Sequence, residues 1–136
     1  MKTVNIYLLF LLPAFSYASD SLTVYLFLAE DCAICRYYTL DLNKMYAEYE
    51  AKGVGFIGLF PNRASTERKI EEFKDKYQLT FPLKREYLQT QAKAFGVKVT
   101  PEVVVYNEDQ QKIIYQGRID NTYAALGKKR FKPTET

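Results

Sequence analysis

The chain has 136 residues, with 19 Lys and Arg against 16 Asp and Glu, no His, no Trp and two Cys. This length fits one domain, and the absence of His excludes a Ser-His-Asp triad, a Cys-His pair and imidazole metal sites. A net charge of +3 is too small to indicate nucleic acid as a partner. An apolar fraction of 48% is typical of a globular protein. The pair Cys32 and Cys35 is the chemically distinctive feature.

The N-terminal residues have the three-part pattern of a secretory signal peptide. Lys2 provides a positive start, residues 4–15 are almost entirely apolar, and Ser16-Tyr17-Ala18 has small residues at its first and third places. The apolar run of about 12 residues is shorter than the ~20 that a spanning helix needs. We therefore predict cleavage after Ala18, export to the periplasm or the extracellular space, a domain at 19–136, and no stable membrane anchor after cleavage. An uncleaved anchor or a buried strand is the alternative.

The first half of the predicted domain alternates strand and helix. Residues 23–28 form an apolar, β-rich run that is typical of a strand buried on both faces. Residues 32–52 are predicted to be helical, since apolar residues recur there at steps of four and three and Gly53 can end the helix. A second buried strand is predicted at 54–60. The side chains on the apolar helix face are Ile34, Tyr38, Leu42, Met45 and Tyr49.

The second half continues with two helices and a hairpin. A helix capped by Ser65 or Thr66 is predicted to run to Tyr77, followed by an extended piece at 81–83 and a short helix at 88–95. Two strands, 102–106 and 112–116, flank a turn at 107–109, and the chain beyond Gly117 is basic and irregular. This order predicts an α/β fold in which a parallel βαβ half leads into an antiparallel hairpin.

Cys32 and Cys35 lie where the first strand ends and the first helix begins. Two intervening residues in a first helical turn bring the sulfurs within bonding distance, and the unpaired N–H groups of that turn stabilise a thiolate. Such a pair supports thiol–disulfide exchange, with Cys35 resolving the mixed disulfide. A zinc site would need further ligands, which only a second chain could supply, and a purely structural disulfide would close a very short loop. We predict no metal and no cofactor.

Three charged residues flank the cysteines. Glu30 and Asp31 directly precede Cys32, and negative charge disfavours a nearby thiolate, whereas Arg36 acts in the opposite direction. The net effect of these three candidate modulators on the thiol is left open by the sequence. Because two carboxylates oppose the thiolate of the reduced form, we hypothesise that the pair is not a strong oxidant.

The chain resembles the thioredoxin-like superfamily in three features. These are a strand, a CxxC pair at the start of the next helix, and a downstream Thr-Pro before a hairpin. More closely, the chain resembles secreted redoxin domains of the alkyl hydroperoxide reductase/thiol-specific antioxidant grouping. The resemblance implies a three-layer sandwich, a nucleophilic Cys32, a resolving Cys35, a cis Pro101, and a Thr100 backbone that pairs with substrate. The stretches that carry it are 27–32, 94–97, 99–102 and 115–120, within a similarity over about 22–134.

The chain also departs from the families it resembles. Asp31 stands where thioredoxins have Trp, and Leu26 stands near the place of their buried acid. Peroxidatic relatives have a Thr at the position of Ala29, which cannot donate a hydrogen bond to peroxide. The chain also stops where relatives continue into a last helix, so we expect that helix to be absent and one sheet face to be partly bare or covered by a partner.

The sequence thus favours an exported thiol–disulfide oxidoreductase that acts through Cys32 and Cys35. Its expected partners are a protein or small-molecule disulfide or thiol substrate and an upstream redox protein. A thiol peroxidase, in which Cys32 becomes a sulfenic acid and Cys35 condenses with it, is one alternative. A non-enzymatic binding module of the same fold is the other.

Overall fold

The computed structural model describes residues 20–125 and 128–129. Ten elements follow one another in these ranges, and the strands and helices alternate in the first two thirds. They are β1 (Leu22–Phe27), α1 (Ala33–Glu50), β2 (Gly55–Phe60), α2 (Glu67–Tyr77), β3 (Leu83–Arg85), α3 (Thr90–Ala94), β4 (Glu102–Asn107), β5 (Lys112–Gly117), β6 (Tyr123–Ala125) and β7 (Lys128–Lys129).

A mixed five-stranded sheet, in the order β3-β2-β1-β4-β5, is the centre of the fold. β1, β2 and β3 run parallel, whereas β4 and β5 are antiparallel to their neighbours. This arrangement confirms the predicted α/β fold with a parallel βαβ half and an antiparallel hairpin. Because β4 runs against β1, the end of β1 at Phe27 lies opposite the beginning of β4 at Glu102.

Helices cover both faces of the sheet, which gives three layers. Val24, Leu26 and Leu28 join one apolar cluster with side chains of α1 and α2. Tyr25 and Phe27 face the other way and join a cluster with the end of α3. Alternate side chains of β1 therefore pack into apolar clusters on opposite faces, as the unbroken apolar run of that strand predicts.

Gly58 in β2 marks a close approach between neighbouring segments. A Cβ atom there would lie 2.5 Å from Leu83 Cδ2 and 3.2 Å from Phe81 Cε2. The absence of a side chain lets the segment between α2 and β3 pack directly against the strand, where Phe81 is fully buried.

Several element ends differ from the sequence-based expectations. α1 begins at Ala33 because Cys32 is its N-cap, and Thr66 caps α2 by accepting from the Lys69 N–H at 3.3 Å. The hairpin turn lies at 108–111, since Asn107 still pairs with β5. These shifts of one or two residues are common where a terminal residue has a capping or bridging role.

The region after β5 corrects one prediction. Instead of being irregular throughout, it contains the antiparallel pair β6 and β7. No helix follows β5 within the described residues, and none of the helices described in 20–129 is long and apolar enough to cross a membrane. The predicted signal peptide at 1–18 lies outside the described residues, as do 126–127 and 130–136.

A hydrogen bond ties the segment after β5 to the core. The Tyr38 hydroxyl of α1 donates to the Asp120 carboxylate, which also accepts from the Thr122 N–H at 2.7 Å. Burial, together with the bond to Asp120, raises the pKa of Tyr38, so its hydroxyl stays protonated. Next to this contact an apolar groove of about 490 Å³ lies between α1 and strands β1, β4 and β5.

Candidate active site

Cys32 lies in the loop between β1 and α1 and caps the helix. Its backbone is extended, with φ −78° and ψ 113°, and its Sγ accepts a hydrogen bond from the Cys35 N–H at 3.2 Å. The sulfur therefore faces a backbone N–H donor of the first helical turn. The Cys32 side chain is half-buried and remains accessible.

Cys35 lies one turn further along α1 and is fully buried in the apolar cluster under that helix. Burial is the main cause that raises the pKa of the Cys35 thiol, and its contact with Cys32 acts in the same direction. Both cysteines are free thiols here. The two sulfurs thus differ in environment, since only Cys32 is partly open to a substrate.

Thr100 and Pro101 also lie next to Cys32, although Thr100 is 68 residues further along the chain. The Thr100–Pro101 peptide bond is cis, and the Thr100 carbonyl lies 3.5 Å from Cys32 Sγ, where it accepts a thiol hydrogen bond. The antiparallel pairing of β1 and β4 explains this meeting, because it sets the start of β4 beside the end of β1.

Two residues for which the sequence predicted no role hold the Thr100 loop. The Glu102 carboxylate accepts from the Lys98 N–H at 3.2 Å and from Gln116 Nε2 at 2.9 Å. Gln116 Nε2 also donates to the Phe95 carbonyl at 2.9 Å. Side chains of β4 and β5 thus hold the segment between α3 and β4 near both ends. Only the pairing of these strands reveals the contact, because no local pattern marks Gln116.

The charged neighbours of the cysteines have partners of their own. Glu30 accepts from the buried Ser65 hydroxyl at 2.6 Å. Arg36 donates to the backbone carbonyl of Asp31 at 2.9 Å, and the Asp31 side chain is exposed. Arg36 is therefore bound to the backbone of Asp31 and not to its carboxylate, and the influence of these three residues on the thiols stays a prediction.

The remaining positions near the cysteines are apolar. Leu26 is buried in the core, and Ala29 is buried with its carbonyl accepting from the Cys32 N–H at 3.2 Å. Neither side chain can exchange a proton with a thiol. Within the described part of the chain, no three His, Cys, Asp or Glu side chains come together as a metal site would require.

Comparison with known proteins agrees with this geometry. A thiol-disulfide oxidoreductase, ResA of Halalkalibacterium halodurans, is 29% identical over 77 residues, which are 57% of this chain and 43% of that protein. The chain thus spans less than half the length of that relative. An uncharacterized conserved protein from Geobacillus kaustophilus superposes with a TM-score of 0.69 at 25% identity, over 76% of this chain and 57% of that one.

The thioredoxin domain of a thiol-disulfide oxidoreductase from Bacteroides vulgatus superposes with a TM-score of 0.61 at 16% identity, over 71% of this chain and 69% of that one. This likeness confirms the thioredoxin-like fold. Residues 13–116 match the family model described as the AhpC/TSA family. Since that match spans most of its length, the chain belongs to the AhpC/TSA family.

Proposed function

We propose that the protein is an exported thiol–disulfide oxidoreductase that works through Cys32 and Cys35. The observation that carries the proposal is the contrast between an accessible Cys32 sulfur at a helix start and a buried Cys35 thiol one turn away. The relative named as a thiol-disulfide oxidoreductase gives further support.

The reaction transfers two electrons from the dithiol to a substrate disulfide. The Cys32 thiolate attacks one substrate sulfur, a mixed disulfide forms, and the other substrate sulfur leaves as a thiolate. Cys35 then attacks Cys32 Sγ, which forms the Cys32–Cys35 disulfide and releases the second substrate sulfur. The proton of Cys35 passes to a departing thiolate. An upstream dithiol protein returns the two electrons to the pair.

Thr100 and Pro101 are proposed to guide the substrate to Cys32. The Thr100 carbonyl already contacts Cys32 Sγ, and an extended segment that pairs with this backbone would bring its own sulfur to the same point. In this arrangement, Cys32 and Cys35 are the catalytic residues, and Thr100 and Pro101 contact substrate.

Single substitutions of the cysteines test the proposal. Reduction of an insulin disulfide by the full chain with dithiothreitol should fall to background in Cys32→Ser, because the attacking sulfur is gone. Cys35→Ser, mixed with the disulfide substrate without dithiothreitol, should instead accumulate a mixed disulfide on Cys32. Mass spectrometry under non-reducing conditions detects this species. Turnover that survives in the Cys32→Ser variant would contradict the proposal.

The same variants separate the two alternatives. Rapid consumption of hydrogen peroxide without disulfide turnover would indicate a thiol peroxidase. The Ala29 side chain argues against this alternative, because it has no hydrogen-bond donor for peroxide. Cellular function that persists when both cysteines are Ser would indicate a binding module without redox chemistry.

A further inference from the structure

A polar groove of about 330 Å³ opens beside Cys32, and Thr100 is the residue of its lining that already has a role in the proposed chemistry. We call it the Cys32-side groove. It lies between the loop that precedes Cys32, the loop after β2, and α3 with the segment that follows it. Its lining includes Asp31, Asn62, Lys93, Lys98 and Thr100. Because the Thr100 carbonyl touches Cys32 Sγ, a chain bound in this groove would adjoin the reacting sulfur.

Positive charge predominates in the groove. Lys93 and Lys98 are both exposed and line it, whereas Asp31 is the one carboxylate of its lining. Among residues 20–125 and 128–129, the one hydrogen-bond partner of the Lys93 ammonium is the Leu88 carbonyl, at a long 3.4 Å. Within the described residues, the Lys98 ammonium has no hydrogen-bond or ion-pair partner.

Two further carboxylates, which bond to the backbone of residues that line the groove, are already occupied by the protein itself. Glu86 is buried and accepts from the backbone N–H groups of Gln91 and Ala92. Glu102 accepts from the Lys98 N–H and from Gln116, as described above. These acids serve local hydrogen bonds, so the two lysine ammonium groups remain available to a ligand that carries negative charge.

We propose that the Cys32-side groove binds the peptide segment next to a target disulfide, and that Lys93 and Lys98 select segments that carry Asp or Glu there. The inference rests on the proposed oxidoreductase function and adds its substrate class. The volume is near the lower end of ligand pockets, which suits a short stretch of chain. Exposed charges of this kind act mainly through the rate of encounter, and their effect declines as salt screens them.

Three peptides that share one disulfide loop, with three flanking residues that are Glu, Gln or Lys, test the inference. The reduced full chain is mixed with each peptide in a single turnover, quenched by alkylation and analysed by mass spectrometry. We expect the Glu peptide to react about 10-fold faster than the Lys peptide at low ionic strength, and this ratio to shrink at high salt. The variant Lys93→Glu/Lys98→Glu should reverse the order of the two peptides.

A matched control carries the same change of charge far from the groove. Lys76 lies in the last turn of α2, and Lys112 pairs with Asn107 at the end of β4 remote from Glu102. The variant Lys76→Glu/Lys112→Glu should keep the preference for the Glu peptide. Equal rates for the three peptides, or a reversal in this control, would overturn the groove assignment while the oxidoreductase function stands. If none of the peptides reacts, the proposed function is wrong and the inference is wrong with it.

Discussion

At the scale of single residues, the two cysteines differ in solvent exposure and in the groups around their sulfurs. Cys32 caps α1, and its sulfur accepts a hydrogen bond from a backbone N–H, whereas Cys35 is enclosed by apolar side chains. A buried thiolate without a compensating charge is unfavourable. The proposed reaction uses this difference, because the enclosed thiol stays protonated until the mixed disulfide has formed.

The raised pKa of Cys35 predicts a pH dependence of stability in the reduced protein. A thiol in the unfolded chain ionises near pH 8.5, whereas the folded Cys35 remains protonated above that. From about pH 8.5 upward the unfolded state therefore binds fewer protons, and the free energy of unfolding falls by up to about 1.4 kcal/mol per pH unit. Cys35→Ala should remove this contribution.

Urea unfolding from pH 7 to pH 10, with a reductant present, measures the effect. The difference in unfolding free energy between the original protein and Cys35→Ala should shrink as the pH rises. Taking the difference cancels the contribution of tyrosines such as Tyr38, which are present in both proteins. A difference that is constant over this range would show that Cys35 ionises in the folded state as it does in the unfolded chain.

At the scale of elements, side chains join segments that are distant in sequence. Glu102 and Gln116 connect β4 and β5 to the loop that contains Thr100. Tyr38 connects α1 to the segment after β5 through Asp120. Each connection restricts a segment that is not fixed by the hydrogen bonds between the strands of the sheet.

Tyr38→Phe is expected to lower the free energy of unfolding by about 1.5–3 kcal/mol, since it removes a hydrogen bond to a charged group and leaves the ring in place. Tyr49→Phe on the same helix is the control, because Tyr49 is 40% exposed and the Lys52 ammonium lies over its ring at 4.6 Å from the centroid. Chemical denaturation of both variants measures the change. Equal stability in the two variants would contradict a stabilising role for the Tyr38–Asp120 bond.

At the scale of the whole molecule, the antiparallel pairing of β1 and β4 assembles the candidate site. The pairing sets Phe27 opposite Glu102, so the segment that follows β1 and the segment that precedes β4 lie together at one end of these two inner strands. The Cys32-side groove opens at this end of the sheet, whereas the apolar groove lies beside α1. Substrate would therefore approach the domain from this end.

The proposed export predicts processing of the N terminus. Expressed in full in a Gram-negative host, the chain should appear in the periplasm with Ser19 as its first residue, which N-terminal sequencing detects. Ala18→Lys should block cleavage, because the position before the cut requires a small residue. A periplasm that lacks the protein, or a purified chain that still begins at Met1, would contradict the predicted signal peptide.

Much of the fold could be predicted from local patterns. The unbroken apolar run at 23–28 predicted a strand buried on both faces, and Val24 and Tyr25 indeed face opposite clusters. The apolar periodicity of α1 predicted its buried face, although Tyr49 at its end is exposed. β6 and β7 were not predicted, because two such short strands leave little pattern in the sequence and the region is rich in basic residues.

The sequence by itself determined the order of helices and strands as far as β5 and the position of Cys32 and Cys35 at a helix start, because hydrophobic period and spacing are local properties. The tertiary structure alone decided that the Thr100 carbonyl contacts Cys32 and that Glu102 and Gln116 hold its loop. Those contacts depend on which strands lie side by side. Strand pairing is set by the packing of the whole core, and no short stretch of sequence specifies it.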